Sequence, residues 1–240
     1  MLILALDTTS EAGGAAIYDD DTCLARIAHA GAANQYSVAL FEMTARLVAE
    51  VSARPNSRLN SQRDIDLYAV ANGPGSFTGI RVGIAAVLAW AKVYGKPAQG
   101  VSVLEALAEA AQPSTENALV ILNAYRGEFY AGEFRKESNG HFVASEAGRV
   151  SSAEELKDFA SGISDEATAW TWIVRAHDKP ALALREALPA GLGWQFVEGT
   201  LLDSIARLAR RKATDGRLAH PSGLDAYYIR RTDAELNWKD

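Results

Sequence analysis

The sequence predicts an α/β protein whose helices pack on mixed β-sheets. The chain opens with three short strand candidates separated by tight polar turns, a pattern typical of an antiparallel meander. Helix and strand patterns then alternate, so that the first half reads βββαβα. After a polar stretch at 112–117 the same order of elements begins again, without any residue-level repeat. We therefore expect two lobes of similar plan.

Hydrophobic spacing places the elements of the first half. Strands are predicted over 2–6, 13–18 and 23–28, and a helix over 37–51. A polar loop at 54–63 leads to a strand over 65–71, a helix over 78–94 ended by Gly95, a strand over 98–101 and a helix from Ser102 to residue 111. We expect these elements to form an N-terminal lobe, residues 1–112.

The second half continues in the same way. Strands are predicted over 118–122, 128–134, 141–144 and 168–174. Helices are predicted from Ser151, with Glu154 in the capping-box position, and over 203–212. We expect these elements to form a C-terminal lobe, residues 113–240, whose last helix or tail is able to pack back on the N-terminal lobe.

Composition excludes several classes of protein. The 240 residues are 48% hydrophobic and 22% charged, as in an ordinary globular protein. A formal net charge of −6 disfavours a stand-alone nucleic-acid binder, because Lys and Arg contacts to phosphate supply most of that affinity. The single cysteine, Cys23, permits no intrachain disulfide and is expected to be buried. Without a leader or a membrane-length apolar segment, we expect a cytoplasmic protein.

The most informative segment is Gly-Pro-Gly-Ser-Phe-Thr-Gly at 73–79, between a predicted strand and a predicted helix. No lysine follows Gly79, and Thr78 stands where a dinucleotide fingerprint needs its third glycine, so both nucleotide motifs fail. The N–H groups that begin the helix are able to bind an anion. A tight connection that needs glycine for steric reasons alone explains the segment equally well.

Small residues follow on the same helix. Gly79, Gly83, Ala86 and Trp90 share one face. One interpretation is packing inside the same domain. The other is a helix-to-helix subunit interface, with Phe77 and Trp90 as exposed anchors. The sequence leaves both open.

These segments resemble the TsaB (YeaZ) family. The likeness is carried by Ile-Leu-Ala-Leu-Asp-Thr-Thr at 3–9, by Gly-Pro-Gly-Ser-Phe-Thr-Gly-Ile-Arg-Val-Gly at 73–83, by Gly-Val-Ser-Val-Leu-Glu at 100–105 and by Tyr-Ile-Arg at 228–230. It is strong over about residues 1–110 and scattered beyond them. The segment at 73–83 is the specific one.

The resemblance implies a two-lobed actin-like, Hsp70-like and sugar-kinase-like (ASKHA) fold. It also implies a non-catalytic subunit of the bacterial machinery that makes N6-threonylcarbamoyladenosine (t6A) at position 37 of tRNAs reading ANN codons. The implied partners are the catalytic subunit TsaD and the ATPase TsaE, with a homodimer in isolation and tRNA reached indirectly. No cofactor is expected on this chain, since ATP, ADP and metal are expected on the partner subunits.

The resemblance further implies roles for particular residues. The expected interface residues, for the homodimer or for TsaD, are Phe77, Gly79, Arg81, Gly83, Ala86 and Trp90. The family-motif loop comprises Gly73, Pro74, Gly75, Ser76 and Thr78. Asp7, Thr8 and Thr9 form a vestigial anion or nucleotide site. No catalytic residue and no metal ligand is expected.

Several departures disfavour catalysis. The histidines at 29, 141, 177 and 220 include no i, i+4 pair, so a TsaD-type metal site on a helix is not expected. Thr9 stands where active kinases of the superfamily have glycine, and Asn123 stands where the family commonly has Asp. A basic cluster at 207–212 is interpreted as a solvated helix end.

Two other functions stay open as alternatives to a non-catalytic subunit. The first is a small ATP-dependent phosphotransferase or ATPase of the same superfold, in which Asp7 holds Mg²⁺ and the segment at 73–79 contacts phosphate. The second is a binding module for a small anion at the same segment.

Overall fold

Two sheets with helices packed on them make up the chain, which confirms the predicted α/β class. The computed structural model describes residues 1–29, 35–163, 169–216, 218 and 223–229. Two compact units emerge: unit 1 is Met1–Ala106 with Gly199–Tyr227, and unit 2 is Leu107–Glu198 with the segment that begins at Tyr228.

Unit 1 is built on a five-stranded sheet. Its elements are β1 (Leu2–Asp7), β2 (Gly14–Asp19), β3 (Thr22–Ala28), α1 (Tyr36–Ser52), a 3₁₀ turn (Gln62–Asp64), β4 (Leu67–Gly73), α2 (Phe77–Tyr94) and β5 (Ala98–Ser102). The strand order is β3-β2-β1-β4-β5. The first three strands are antiparallel, which confirms the meander, whereas β4 and β5 run parallel to β1.

The central strand of this sheet is covered on both faces. All six residues of β1 are buried, as expected for a central strand with helices packed on each face of its sheet. Leu2, Leu4 and Leu6 share a hydrophobic core with residues of α1 and α2. Helix α6 (Leu202–Thr214) returns from the end of the chain and packs on β1, β4 and β5.

Unit 2 contains a second sheet of similar plan. After α3 (Val103–Ala111) come β6 (Asn117–Asn123), β7 (Glu128–Lys136), β8 (Phe142–Ala144), β9 (Arg149–Ser152), α4 (Ala153–Gly162), β10 (Trp170–Arg175), α5 (Lys179–Ala187) and β11 (Gly193–Val197). The strand order is β11-β10-β6-β7-β8, with β9 paired to β7. The parallel strands are β6, β10 and β11.

Three elements of unit 2 were not predicted, namely β9, α5 and β11. Strand β9 carries the chain one residue further than expected, so α4 begins after Ser152, whose capping-box partner is Glu155. Helix α5 starts at Asp178-Lys179-Pro180, where the Asp178 carboxylate caps the Ala181 N–H. This Asp-x-Pro start is a helix signal that the sequence offers.

Candidate functional site

The segment at 73–79, called here the GPG loop, joins the carboxyl end of β4 to the first turn of α2. Ser76 is the N-cap, and its Oγ accepts a 3.2 Å hydrogen bond from the Gly79 N–H. The peptide bond between Gly73 and Pro74 is cis. At its other end, α2 stops at Gly95, which takes the left-handed conformation (φ 64°) that favours glycine.

The glycines of this region allow a close approach to the end of β1. A Cβ at Gly75 would lie 2.6 Å from the Thr9 carbonyl oxygen, and a Cβ at Gly79 would overlap the Thr8 carbonyl oxygen. A Cβ at Gly83 would overlap the Thr8 hydroxyl. Steric demand therefore accounts for these three glycines.

The residues at the end of β1 are buried and form hydrogen bonds within the chain. Asp7, Thr8 and Thr9 are 0%, 0% and 3% exposed. The Asp7 Oδ1 accepts from the Thr9 N–H (2.9 Å) and from the Thr9 hydroxyl (2.6 Å). The Thr9 carbonyl oxygen in turn accepts from the Ser76 N–H at 2.7 Å. The GPG loop therefore lies directly against the predicted vestigial site.

The small-residue face of α2 faces the interior of unit 1, and Trp90, which was expected to be an exposed anchor, is buried. Gly79, Gly83, Ala86 and Trp90 are all buried. The Trp90 ring, 7% exposed, packs on the rings of Tyr68 and Phe41 at centroid distances of 5.9 and 5.7 Å. Of the two interpretations of this face, packing within the same domain describes these four residues.

Phe77 and Arg81 lie at the start of α2 and are exposed. The Phe77 side chain is 42% exposed. The Arg81 guanidinium lies 3.8 Å from the Phe77 ring centroid, in a cation–π contact. Both residues are placed where another molecule is able to contact them.

A second apolar surface, called here the α1/α2 face, was missed at the sequence level. Its members are the exposed residues Val38, Phe41, Ala45 and Ala49 of α1 and Ala85, Ala89 and Val93 of α2. Val38, Phe41 and Val93 are 83%, 56% and 72% exposed. A signal was present, because Val38 and Phe41 lie off the core-facing stripe of α1, where polar residues are expected.

The turn after β6 holds the residue that replaces the family's Asp. Asn123 Oδ1 accepts from the Tyr125 N–H (2.8 Å), and the Asn123 N–H donates to the Asp178 carboxylate (2.7 Å). Tyr125, Arg126 and Gly127 all have positive φ values, of 61°, 57° and 76°. Asn123 therefore organises a tight left-handed turn, with Asp178 as a buried partner that the sequence analysis did not identify.

Metal-binding side chains do not gather within the described residues. No group of three or more His, Cys, Asp or Glu side chains that could hold a metal ion occurs in 1–29, 35–163, 169–216, 218 and 223–229. His220 lies outside these ranges, as does Arg230 of the family-like segment at 228–230.

Three further expectations can be compared with the structure. Cys23 is exposed, not buried, because it lies on the edge strand β3. In the basic cluster, Arg210 pairs with Asp21 (2.6 Å) and Lys212 with Glu105 (3.0 Å). Helix α2 is long and apolar enough to cross a membrane by composition, but a core helix passes the same test, and α2 packs on β4.

Comparisons of the sequence match a family model and curated relatives that are described by tRNA threonylcarbamoyl modification. The family model described as "TsaD: tRNA N6-adenosine threonylcarbamoyltransferase" matches residues 30–186. The tRNA threonylcarbamoyladenosine biosynthesis protein TsaB of Escherichia coli K12 is 30% identical over 199 residues, covering 79% of this chain and 82% of the relative. The TsaB of Bacillus subtilis is 27% identical over 99% of this chain and 98% of its own.

Among solved structures, YeaZ from Pseudomonas aeruginosa matches with a TM-score of 0.71 and 20% identity, over 95% of this chain and 99% of that one. A second Pseudomonas aeruginosa structure, of an uncharacterized protein with similarity to peptidase YEAZ, matches with a TM-score of 0.73 and 22% identity over the same shares. These two structures share the fold of this chain.

Proposed function

The chain belongs to the TsaB (YeaZ) family, and on that premise we propose that it is a non-catalytic subunit in the synthesis of threonylcarbamoyladenosine on tRNA. In this role the chain binds a TsaD-like catalytic subunit, which a TsaE-like ATPase joins, and it self-associates when isolated. The catalytic metal and nucleotide belong to those partners, and the chain works in the cytoplasm.

The α1/α2 face carries this proposal. Its alanines, Ala45 and Ala49 on α1 and Ala85 and Ala89 on α2, recur every four residues and leave the helix backbones open to close approach by another helix. Val38, Phe41 and Val93 surround them with large apolar side chains. The Phe41 ring of α1 contacts the buried Trp90 ring of α2, so the two helices meet beside these residues. A concentration of exposed apolar residues on two neighbouring helices is typical of a protein contact.

The chemistry of the β1 end supports a role by contact and not by phosphate transfer. A phosphotransferase of this superfold needs the first-strand carboxylate for Mg²⁺ and open backbone for a phosphate. Here the Asp7 carboxylate accepts two hydrogen bonds from Thr9, and the GPG loop fills the adjacent space. No observation on the described residues favours the phosphotransferase alternative.

The charge distribution supports indirect contact with tRNA. The net charge is −6, and in the basic cluster of α6 both Arg210 and Lys212 are engaged in ion pairs. Phosphate binding by these two side chains would have to break those pairs. The proposal therefore leaves most of the tRNA contact to the partner subunit.

The deciding experiment is reconstitution with the TsaD-like and TsaE-like proteins of the same genome. We expect the chain to co-elute with the TsaD-like protein on gel filtration and to be required for t6A formation on tRNA. The Ala89→Arg variant places a charged side chain on the α1/α2 face and is expected to lose both properties. Val143→Arg, an exposed apolar position on β8, is the matched control and is expected to keep them.

Two results would reject the proposal. The first is failure of the wild-type chain to co-elute with its partner or to support modification. The second is saturable binding of ATP and Mg²⁺ to the isolated chain in a calorimetric titration, abolished by Asp7→Asn, which would establish the phosphotransferase alternative instead.

A further inference from the structure

We propose that unit 1 carries a binding site for a small organic primary ammonium, in the cavity between the edge strand β5 and the segment Gly223–Tyr227. The cavity has a volume of about 280 Å³ and is lined by Asn72, by residues 98–100 and by residues 223–227. It is separate from the α1/α2 face and does not depend on the proposed function. Its volume is at the lower end of small-molecule sites, about 300 Å³, which suits a ligand of amino-acid size.

Two side-chain amides in the lining have an unused acceptor. The Asn72 Nδ2 donates to the Asp225 carbonyl oxygen (3.1 Å), and the Gln99 Nε2 donates to the Gly100 carbonyl oxygen (2.7 Å). The other ends of these amides, Asn72 Oδ1 and Gln99 Oε1, are buried without any hydrogen-bond partner. Gln99 is only 8% exposed. A buried acceptor left without a donor costs free energy, and a bound donor recovers it.

The polar groups that line the cavity favour a ligand with N–H donors. Each amide keeps its NH₂ group on a backbone carbonyl oxygen, so rotation of the amide would sacrifice an existing hydrogen bond. Both residues therefore offer oxygen, which repels carboxylate and phosphate oxygens. Asp225 adds an exposed carboxylate at the rim, and no Lys, Arg or His belongs to the described part of the lining. A primary ammonium supplies three N–H donors and the complementary charge.

The outer wall of the cavity is held to the rest of unit 1 at two points. It is anchored where the Tyr227 N–H donates to the Asn72 carbonyl oxygen (2.8 Å) and where Leu224 packs into the core. Between and beside these anchors, Gly223 and Asp225 are exposed. Binding requires this wall to shift outward, so that the two buried oxygens come into contact with the ligand.

The full-length chain titrated with methylammonium chloride tests the site, with thermal unfolding and calorimetry as readouts. Tetramethylammonium chloride has the same charge but no N–H donor. We expect a saturable rise in unfolding temperature with methylammonium only. Gln99→Leu is expected to weaken the affinity by about tenfold or more, the usual effect of one charge-assisted hydrogen bond. Gln62→Leu removes an amide outside the cavity whose Nε2 is buried without a partner, and this variant is expected to keep the response.

Gln99→Glu gives a second test that survives if Gln99→Leu does not fold. A carboxylate in place of the amide is expected to tighten methylammonium binding. The proposal is overturned if the wild-type chain shows no saturable response, if tetramethylammonium acts equally well, or if substitution at Gln99 leaves the affinity unchanged.

Discussion

The Thr8 hydroxyl donates a 2.7 Å hydrogen bond to the Gly79 carbonyl oxygen, so the residue after β1 lies directly against the first turn of α2. The two residues are separated by 71 positions in the chain. This contact explains why Gly79 is glycine, because its Cα faces the Thr8 carbonyl oxygen with no room for a side chain. This contact therefore holds the end of the GPG loop and the first turn of α2 against the residues that follow β1. Helix α2 in turn carries part of the α1/α2 face.

The first prediction concerns this contact. Gly79→Ala is expected to destabilise the protein by about 2 kcal/mol or more, because the overlap with Thr8 outweighs the gain of about 0.5–1 kcal/mol that alanine normally brings to a helix. Urea unfolding measures the difference. Gly162→Ala at the end of α4, where a Cβ meets nothing within 4 Å, is the control and is expected to be neutral or stabilising. Equal effects of the two substitutions would contradict the steric account.

A second prediction concerns the buried carboxylate of Asp178. It accepts from the Asn123 N–H (2.7 Å) and from the Ala181 N–H (3.2 Å), and it is 8% exposed. Asp178→Ala leaves two N–H groups without a partner and is expected to cost about 2–4 kcal/mol in the free energy of unfolding. Asp178→Asn keeps one acceptor and is expected to fall between. A loss below about 0.5 kcal/mol for the alanine variant would show that water replaces the carboxylate.

The third prediction is a pH dependence. Tyr18 is 2% exposed, and its hydroxyl donates to the Asp203 carboxylate at 3.0 Å. Burial, followed by the negative charge of Asp203, raises the pKa of Tyr18. The unfolded chain releases this proton near pH 10, whereas the folded chain holds it. The stability that Tyr18 contributes is therefore complete below about pH 10 and is lost as the pH rises further.

Tyr18→Phe removes this group from the titration. We expect the free energy of unfolding of the variant to fall less steeply above about pH 10, by up to about 1.4 kcal/mol per pH unit. Chemical unfolding at a series of alkaline pH values measures the slope. Tyr125→Phe alters a tyrosine that is 72% exposed and is expected to leave the slope unchanged. Parallel slopes for wild type and Tyr18→Phe would disprove the linkage.

The pattern of hydrophobic residues along the chain predicted most of the fold, because most helices and strands have a clear pattern of this kind. Apolar runs in β1 and β6 and helical spacing in α1 and α2 placed these elements to within about two residues. Strands β9 and β11 have only four and five residues, and β11 shows no alternation of buried and exposed positions. Such strands exist because a neighbouring strand pairs with them, which no local pattern reports.

Helix α2 shows even more clearly what a local sequence pattern leaves undetermined. Helical spacing correctly puts Gly79, Gly83, Ala86 and Trp90 on one face. Spacing does not say what covers that face, and here Thr8 and Tyr68 cover it from other elements. The exposed alanines lie on the neighbouring face of the same helix. Only the three-dimensional contacts separate a helix face that packs inside the fold from one that is left for a partner.

The last prediction compares the buried face of α2 with its exposed face. Gly83→Arg and Ala89→Arg introduce the same side chain on the same helix, six positions apart. At Gly83 the first atom of the side chain already overlaps the Thr8 hydroxyl, so this variant is expected to fold poorly or not at all. Ala89 is exposed, so its variant is expected to keep the stability of the wild type while losing self-association and the TsaD-like partner. Circular dichroism and light scattering separate the two outcomes.

The results for the two variants test two different faces of α2. An Ala89→Arg protein that is folded and still associated would place the interface elsewhere, with Phe77 and Arg81 at the start of α2 as the next candidates. A Gly83→Arg protein that is folded and monomeric would return the small-residue face to the interface and contradict its burial against Thr8. Because the arginine is the same in both variants, any difference between them reports the surroundings of each position and not the charge that was added.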